Sequence, residues 1–175
     1  MGMTTAQLAA RIKEVAYLEG DFTLRSGAKS RYYLDKYLFE TQPDILLELG
    51  RRFAERLGAA QIIAGAELGA ISLAAATSMA SGRPFVIVRN AKKGYGTGKQ
   101  IEGALPAGAG VLLVEDIVTS GGQVIEAAQS ITAAGAKVIK IVGTIDRLQG
   151  GRENIEKAGF VFESLLTRED LGISA

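Results

Sequence analysis

One stretch of the chain, residues 111–123 with the sequence VLLVEDIVTSGGQ, constrains the fold more than any other. Its first four residues, Val111 to Val114, are apolar, as is typical of a strand buried on both faces of a parallel sheet. Glu115 and Asp116 follow, and then a loop of hydroxyl residues and glycines that runs into a segment with helical apolar spacing. The stretch therefore predicts a strand, an acidic turn, a glycine loop and a helix.

The glycine loop, residues 119–123, is a candidate anion site. A loop of this kind presents backbone N–H groups and the positive end of a helix dipole to an anion. It also follows the carboxyl end of a strand, where open α/β sheets bind ligands. Two carboxylates beside a phosphate repel it unless sugar hydroxyls or a magnesium ion lie between them. A phosphorylated ribose suits both halves; the alternative is an ordinary turn with a Ser or Thr N-cap.

The composition limits the chemistry that the chain can perform. Its 175 residues include neither cysteine nor histidine, which excludes a thiol nucleophile, disulfides, most zinc sites and the usual general base. A net charge of +1 gives no whole-chain reason to expect nucleic acid or an anionic membrane as a partner. No signal peptide or membrane-spanning run is evident, so we expect a cytoplasmic protein.

The apolar periodicity predicts an α/β fold with a five-stranded parallel sheet flanked by helices. The predicted strands are Gln61–Ala64, Phe85–Val88, Val111–Val114, Val138–Val142 and Phe160–Phe162. The predicted helices are Thr4–Leu18, Pro43–Leu57, Gly69–Ala80, one that ends near Ala134, and Arg152–Ala158. Residues 1–40, with short strands Phe22–Arg25 and Tyr32–Leu34, do not follow the alternation. We expect one domain over residues 1–175, in which these residues and the C-terminal tail form a small hood on a core of about residues 41–165.

Two stretches near the predicted sheet are candidates for ligand contact. Residues 22–35, FTLRSGAKSRYYLD, interleave basic residues with tyrosines. They could hold a planar heterocycle whose carboxylate pairs with Arg25, or they form a basic edge hairpin. Residues 65–70, GAELGA, could let a loop approach a ligand closely, or they serve close packing of a helix on the sheet.

Two further stretches bring cations to the same end of the sheet. Residues 89–103, RNAKKGYGTGKQIEG, form a long polar loop in which cations alternate with glycines, and this pattern favours a mobile lid over a polyphosphate. Asp146 and Arg147 follow the strand after the acidic pair. They are either ligand contacts or a surface ion pair of little energetic value.

In this order the stretches resemble the orotate phosphoribosyltransferases, which are type I phosphoribosyltransferases. The motifs are F-T-L-R-S-G-x-x-S-x-Y-Y, R-x-x-x-K-x-Y-G-T-G-K, V-E-D-I-V-T-S-G-G and D-R. The resemblance implies transfer of the phosphoribosyl group of phosphoribosyl pyrophosphate (PRPP) to orotate, with Mg2+ as cofactor. It also implies a homodimer whose lid loop, Arg89–Gly103, reaches the neighbouring site. A phosphoribosyltransferase for another base and a non-catalytic PRPP-sensing regulator are the alternatives.

The resemblance further implies a role for each matching residue. The catalytic candidates are Asp116, Glu115, Lys93 and Tyr95. The PRPP-binding candidates are Arg89, Lys92, Lys93, Tyr95, Lys99, Glu115, Asp116, Thr119, Ser120, Gly121, Gly122 and Gln123. The orotate-binding candidates are Arg25, Tyr33, Leu34, Thr119 and Arg147. The carboxylates would hold the ribose hydroxyls, the glycine loop the 5′-phosphate, and the lid the pyrophosphate.

Three positions depart from the pattern of many family members. Asn90 stands where many members have lysine, Tyr95 where many have histidine, and Gly69 where many bacterial members have lysine. Each departure removes a possible phosphate contact, which makes Lys92 and Lys99 candidates to replace it.

Overall fold

The computed structural model describes residues 2–23, 27, 29–90 and 100–173. Its helices are α1 (Thr5–Ala16), α2 (Lys36–Glu40), α3 (Pro43–Ala54), α4 (Ala70–Ser81), α5 (Gly122–Ala133) and α6 (Gly151–Lys157). Its strands are β1 (Tyr17–Thr23), β2 (Lys29–Leu34), β3 (Ile62–Ala66), β4 (Phe85–Val88), β5 (Ile101–Glu102), β6 (Gly110–Val118), β7 (Lys137–Asp146) and β8 (Phe162–Thr167). Across these ranges, no helix has the length and apolar character needed to cross a membrane.

A central sheet carries the fold, in the order β5-β4-β3-β6-β7-β8. The pairs from β4 to β8 are parallel, which confirms the predicted α/β class and its five parallel strands. The short strand β5 is antiparallel to β4 at the edge. It lies inside the predicted loop 89–103, so Ile101 and Glu102 are strand residues and not loop residues as predicted.

The acidic pair lies within a strand, so the prediction of an acidic turn after Val114 was also wrong. Strand β6 continues to Val118 because the parallel ladder with β7 continues beyond the apolar run, with Ile117 opposite Ile145 and Val118 opposite Asp146. Both carboxylates are therefore held by sheet backbone.

Several predicted boundaries also move. Helix α1 ends at Ala16 and Gly20 lies inside β1, because the chain enters the antiparallel pair β1-β2 directly. Helix α3 ends at Ala54, three residues before the predicted end. The last strand is Phe162–Thr167 because Phe162 is the residue that aligns with Ile141 of β7.

The two faces of the sheet bury different side chains of the same strand. Along β6, Leu112 and Val114 join one apolar cluster, and Val111 and Leu113 join the other, as strand alternation requires. The first cluster also contains residues from both ends of the chain: Leu8, Ile12, Leu171 and Ile173. Because these residues pack together, the N-terminal helix and the C-terminal tail cover the same face of the sheet.

Candidate active site

The two carboxylates of the motif lie near the carboxyl end of β6 and are buried. Asp116 is 3% exposed and Glu115 is 9% exposed. Asp116 Oδ2 accepts a hydrogen bond of 2.7 Å from Lys36 Nζ, and its Oδ1 accepts one of 2.5 Å from the Ile117 N–H. Glu115 Oε1 accepts a hydrogen bond of 3.0 Å from the Asp116 N–H. Adjacent backbone and one lysine therefore hold the pair in place.

Burial and neighbouring charges shift the pKa values of both Glu115 and Lys36. Burial, followed by the nearby charge of Asp116, raises the pKa of Glu115 to about 8. Burial lowers the pKa of Lys36, but its hydrogen bond and charge interaction with Asp116 outweigh that effect, so the pKa lies above its usual value. At neutral pH the site therefore presents an ammonium group bonded to Asp116 beside a carboxyl group that tends to keep its proton.

The glycine loop forms the adjacent cavity, whose volume is about 460 Å³. Glu115 and all five residues of loop 119–123 line it. No side chain caps the N-terminus of α5, whose N-cap residue is Gly121, so the first N–H groups of the helix stay available to an anion. The geometry thus places one carboxyl group of the acidic pair, that of Glu115, in the same cavity as the candidate anion site, whereas Asp116 does not line it.

Helix α6 packs against the glycine loop. Asn154 Nδ2 donates a hydrogen bond of 2.9 Å to the carbonyl oxygen of Ser120. Gly121 has φ +80°, and a Cβ at that position would lie 3.0 Å from Ile155 Cγ1. The loop conformation consequently requires glycine there, both for its backbone angle and for its close approach to α6.

Arg89 reaches the same cavity edge from β4. It lines a small recess with Gln123 and Asn90. Within the described part of the chain, its Nε is buried without a hydrogen-bond partner. The Asn90 N–H donates a hydrogen bond of 2.8 Å to Glu67 Oε1, which joins the loops that follow β3 and β4. Asn90, at the position where the pattern described above has lysine, therefore makes a structural contact.

Arg147 joins the core to the pair β1-β2. Its Nη2 donates a hydrogen bond of 2.9 Å to Tyr32 Oη, and the Tyr32 ring stacks on Tyr17 with centroids 5.5 Å apart. Tyr33 is 42% exposed, and Leu34 is buried. The two tyrosines predicted to hold one planar ring thus have different surroundings, and Tyr32 is the one in contact with Arg147.

Asp146 is not part of a surface ion pair. It is 1% exposed, its Oδ1 accepts a hydrogen bond from the Leu148 N–H, and Arg152 Nε lies 4.0 Å from its Oδ2. The surface alternative for Asp146 and Arg147 was therefore wrong.

Five of the predicted site residues lie outside the described residues. They are Arg25, Lys92, Lys93, Tyr95 and Lys99. Their assignments stay predictions.

A larger cavity, of about 730 Å³, lies between β5 and α5. Among the described residues that line it, including Ile101, Glu126 and Gln129, none is a predicted site residue. Size alone therefore does not identify the candidate site.

Two residues at the site, Lys36 and Glu40, belong to none of the stretches predicted from the sequence to contact a ligand. They lie four residues apart on α2, so both side chains lie on one face of that short helix. Lys36 bonds to Asp116, and Glu40 Oε1 lies 3.1 Å from the position that a Cβ on Gly69 would take. Such a Cβ would also overlap Asp116 Oδ2. The available signal was Asp35, whose side chain caps α2 by accepting from the Tyr37 N–H.

Glu40 gives a prediction for pH dependence. Burial, then the charge of Asp116, raises the pKa of Glu40 to about 9, and Lys36 opposes the shift; Glu115 and Asp35 also face the group and raise it. The folded state keeps a proton that the unfolded chain loses above its ordinary pKa, so stability falls as pH rises towards 9. We expect Glu40→Gln to raise Tm by several degrees at pH 8.5, and by less at pH 5. Thermal unfolding of the ligand-free protein across this range measures the effect.

Glu163 supplies a control of opposite sign. Lys140 and Arg56 lower the pKa of Glu163, so its stabilisation is present at neutral pH and is lost as pH falls through the lowered pKa. Glu163→Gln should consequently lower Tm near neutral pH and have little effect in acid. A Glu40→Gln gain that does not grow with pH would contradict the assignment for Glu40.

Comparison with known proteins places this site in a family. A family model described as the phosphoribosyl transferase domain matches residues 39–169. The orotate phosphoribosyltransferase of Natronomonas pharaonis is 46% identical over 152 residues, which cover 87% of this chain and 87% of that protein. The chain belongs to the orotate phosphoribosyltransferase family. Another orotate phosphoribosyltransferase, from Methanocella arvoryzae, is 44% identical over 167 residues, 94% of this chain and 95% of its own.

Solved structures of orotate phosphoribosyltransferases have the same fold. The Mycobacterium tuberculosis orotate phosphoribosyltransferase in complex with Fe(III) dicitrate has a TM-score of 0.87 and 31% identity, and covers 97% of this chain and 99% of its own. The same orotate phosphoribosyltransferase in complex with PRPP has a TM-score of 0.82 and 30% identity, with coverage of 97% and 99%. The fold of this family member thus matches that of an orotate phosphoribosyltransferase solved with PRPP.

Proposed function

We propose that the protein transfers the phosphoribosyl group of PRPP to orotate, giving orotidine 5′-monophosphate and pyrophosphate in pyrimidine synthesis. The observation that carries this proposal is the single cavity that joins Glu115 to the uncapped glycine loop, since it suits a ribose with a 5′-phosphate. Membership of the family and the names of the relatives support orotate as the base.

The proposed donor site uses hydrogen-bond capacity visible in the structure. Residues 119–123 bind the 5′-phosphate through backbone N–H groups at the N-terminus of α5. Asp116 accepts from the ribose hydroxyls, because each of its oxygens accepts only one hydrogen bond from the described residues and retains a further lone pair. Arg89, with its buried Nε unpaired among those residues, extends the site towards pyrophosphate.

The proposed base site lies between the core and the β1-β2 pair. Arg147 and Arg25 pair with the carboxylate of orotate, and Thr119 and the backbone of Tyr33 and Leu34 hold its ring. The position of Arg147 supports this assignment, because its guanidinium lies beside the Tyr32 ring and its backbone N–H donates to the Val118 carbonyl oxygen at the end of β6. A guanidinium binds a planar carboxylate with two parallel hydrogen bonds.

The reaction then needs charge stabilisation and no protein nucleophile. As the bond from C1′ to pyrophosphate breaks, the ribose becomes cation-like, and the carboxylate of Asp116 favours that charge. Arg89, Lys92, Lys93, Tyr95 and Lys99 stabilise the negative charge that pyrophosphate gains. Closing of the lid would exclude water from the donor.

Mg2+ is part of this proposal as a partner of the donor. Among the described residues, no group of three or more acidic side chains is placed to hold a metal ion, so the fit is to a metal carried by the pyrophosphate. Its chemistry is to neutralise charge on the leaving group.

We also propose a homodimer in which each lid, Arg89–Gly103, serves the partner's site. The division of residues 1–175 into a hood and a core, and a cytoplasmic location, stay predictions. Mixing inactive Lys93→Ala and Asp116→Asn chains tests the shared lid. One competent site per heterodimer should restore at most about a quarter of wild-type activity, whereas lids that serve their own subunits restore none.

The test of function is a panel of bases with PRPP and Mg2+, with pyrophosphate release as the measurement. We expect kcat/KM for orotate to exceed that for uracil by at least about 100-fold, because uracil lacks the carboxylate that the base-site arginines would bind, and removal of one partner of a charge pair buried in the complex costs about 3–5 kcal/mol. Preference for another base supports the alternative phosphoribosyltransferase. PRPP binding without turnover on any base supports the regulator.

A further inference from the structure

Helix α2 brings a cation, Lys36, to the carboxylate of Asp116. Lys36 and Glu40 are one helical turn apart on α2, and both meet the end of β6 where Asp116 lies. Lys36 is separated from Asp116 by 80 positions in sequence, so this contact is a tertiary one. Neither residue belongs to the motifs described above.

Two buried carboxyl groups, those of Glu40 and Asp116, lie beside a single cation, Lys36, among the described residues. Glu40 is 3% exposed, and its Oε1 has no hydrogen-bond partner among the described residues. Asp116 is also buried, and Lys36 is the only cation of the described ranges within ion-pair distance of it. A diphosphate brought to this corner would meet carboxyl groups first unless a cation stood between them.

Lys36 has the capacity to occupy that position. An ammonium group donates three hydrogen bonds, and the described residues accept one of them, at Asp116 Oδ2. Its side chain is 30% exposed, with Nζ 5.4 Å from the centroid of the Tyr37 ring, so the ammonium group is accessible to a ligand while the Asp116 carboxylate stays buried. In PRPP the diphosphate is bonded to C1′, next to the C2′ hydroxyl that Asp116 would hold.

The neighbouring loop leaves this space to Lys36. A side chain at position 69 would overlap Asp116 Oδ2 and crowd Glu40 Oε1, so the loop after β3 supplies no side-chain cation at this point. The carboxylate corner therefore receives its positive charge from α2.

We infer that Lys36 is a further binding residue for the diphosphate of the donor, which it contacts while it remains bonded to Asp116. This inference rests on the proposed function. The ammonium group then lies between two anions, and it stabilises the leaving group more as that group gains negative charge. Lys36 would thus bind the diphosphate of the donor in the ground state and stabilise its added negative charge in the transition state.

The test compares Lys36→Met with Lys140→Met. Lys140 is a matched control, because it is also 30% exposed and bonded to a carboxylate at 2.8 Å, yet it pairs with Glu163 and lies opposite Leu112, at the other end of β6 from the glycine loop. Magnesium pyrophosphate binding is measured by calorimetry without orotate, and steady-state kinetics give KM for PRPP and for orotate separately. We expect Lys36→Met to weaken pyrophosphate binding and to lower kcat/KM for PRPP by about 10- to 100-fold, with KM for orotate changed less than about threefold.

Lys36→Gln separates contact from support, since it keeps a hydrogen-bond donor for Asp116 but removes the charge. It should show the same loss of pyrophosphate affinity, and it covers the case in which the methionine variant does not fold. Unchanged pyrophosphate binding in a folded Lys36 variant overturns the inference, even if kcat falls, because the lysine then only positions Asp116. If wild type forms no product from PRPP and orotate, the proposed function fails; if wild type is active and the variants match it, the inference alone fails.

Discussion

Asp116→Asn should lower kcat by about 100-fold or more, because removal of one preorganised electrostatic group from an active site costs roughly that amount. The amide keeps the size of the side chain but carries no charge to favour the ribosyl cation. It also leaves Lys36 without its ionic partner. Since Lys36 is 30% exposed, water can take over its hydrogen bond, and we expect Tm to change by only a few degrees.

Glu48→Gln is the matched control for this substitution. Glu48 is another buried carboxylate, 7% exposed, and it pairs with Arg52 at 2.9 Å on α3, away from the glycine loop. It should lose stability to a similar degree while kcat stays near the wild-type value. Near-native turnover of a folded Asp116→Asn enzyme would remove Asp116 from the reaction.

Gly121→Ala should lower kcat/KM for PRPP at least about 10-fold by displacing the glycine loop. An alanine at φ +80° is strained, and its Cβ would lie 3.0 Å from Ile155 Cγ1 and 3.1 Å from the carbonyl oxygen of Gly151. Because α6 is packed in place, the loop is the part that moves. A shift of about 1 Å at a phosphate-binding loop is enough for a large loss of rate.

Gly150→Ala isolates the backbone cost. Gly150 has φ +84° and also precedes a helix, but a Cβ there has no neighbour within 4 Å. Both variants should lose about 1 kcal/mol of stability from the positive φ, and only Gly121→Ala should lose affinity for PRPP. Equal kinetic effects of the two substitutions would show that the loop tolerates the displacement.

The sequence predicted the parts of the site that are local in the chain. The apolar run, the acidic pair and the glycine loop are contiguous, so one pattern identified them and the cavity that they form. Arg147 was predicted to be a site residue because it directly follows a buried strand.

The parts that the sequence did not predict depend on contacts between distant segments. Charged residues 115 and 116 end the apolar pattern, which predicts that the strand stops there, but the backbone ladder with β7 extends the strand beyond both, and Lys36 pairs with the buried Asp116. Helix α2 has five residues and β5 has two, which is too short for periodicity to indicate either element. Lys36 and Glu40 were missed for this reason.

The ion pair between Lys36 and Asp116 also bears on the order in which the protein assembles. The sheet that carries Asp116 and the glycine loop is built from residues 62 onward, whereas the ammonium partner of Asp116 comes from a short helix 80 positions earlier. The strand pairings of the sheet join residues that are closer in sequence, such as Ile62 and Val111, and contacts at larger sequence separation form more slowly. During refolding, the sheet can therefore reach its final architecture before the enzyme becomes competent, and recovery of activity would lag behind recovery of secondary structure.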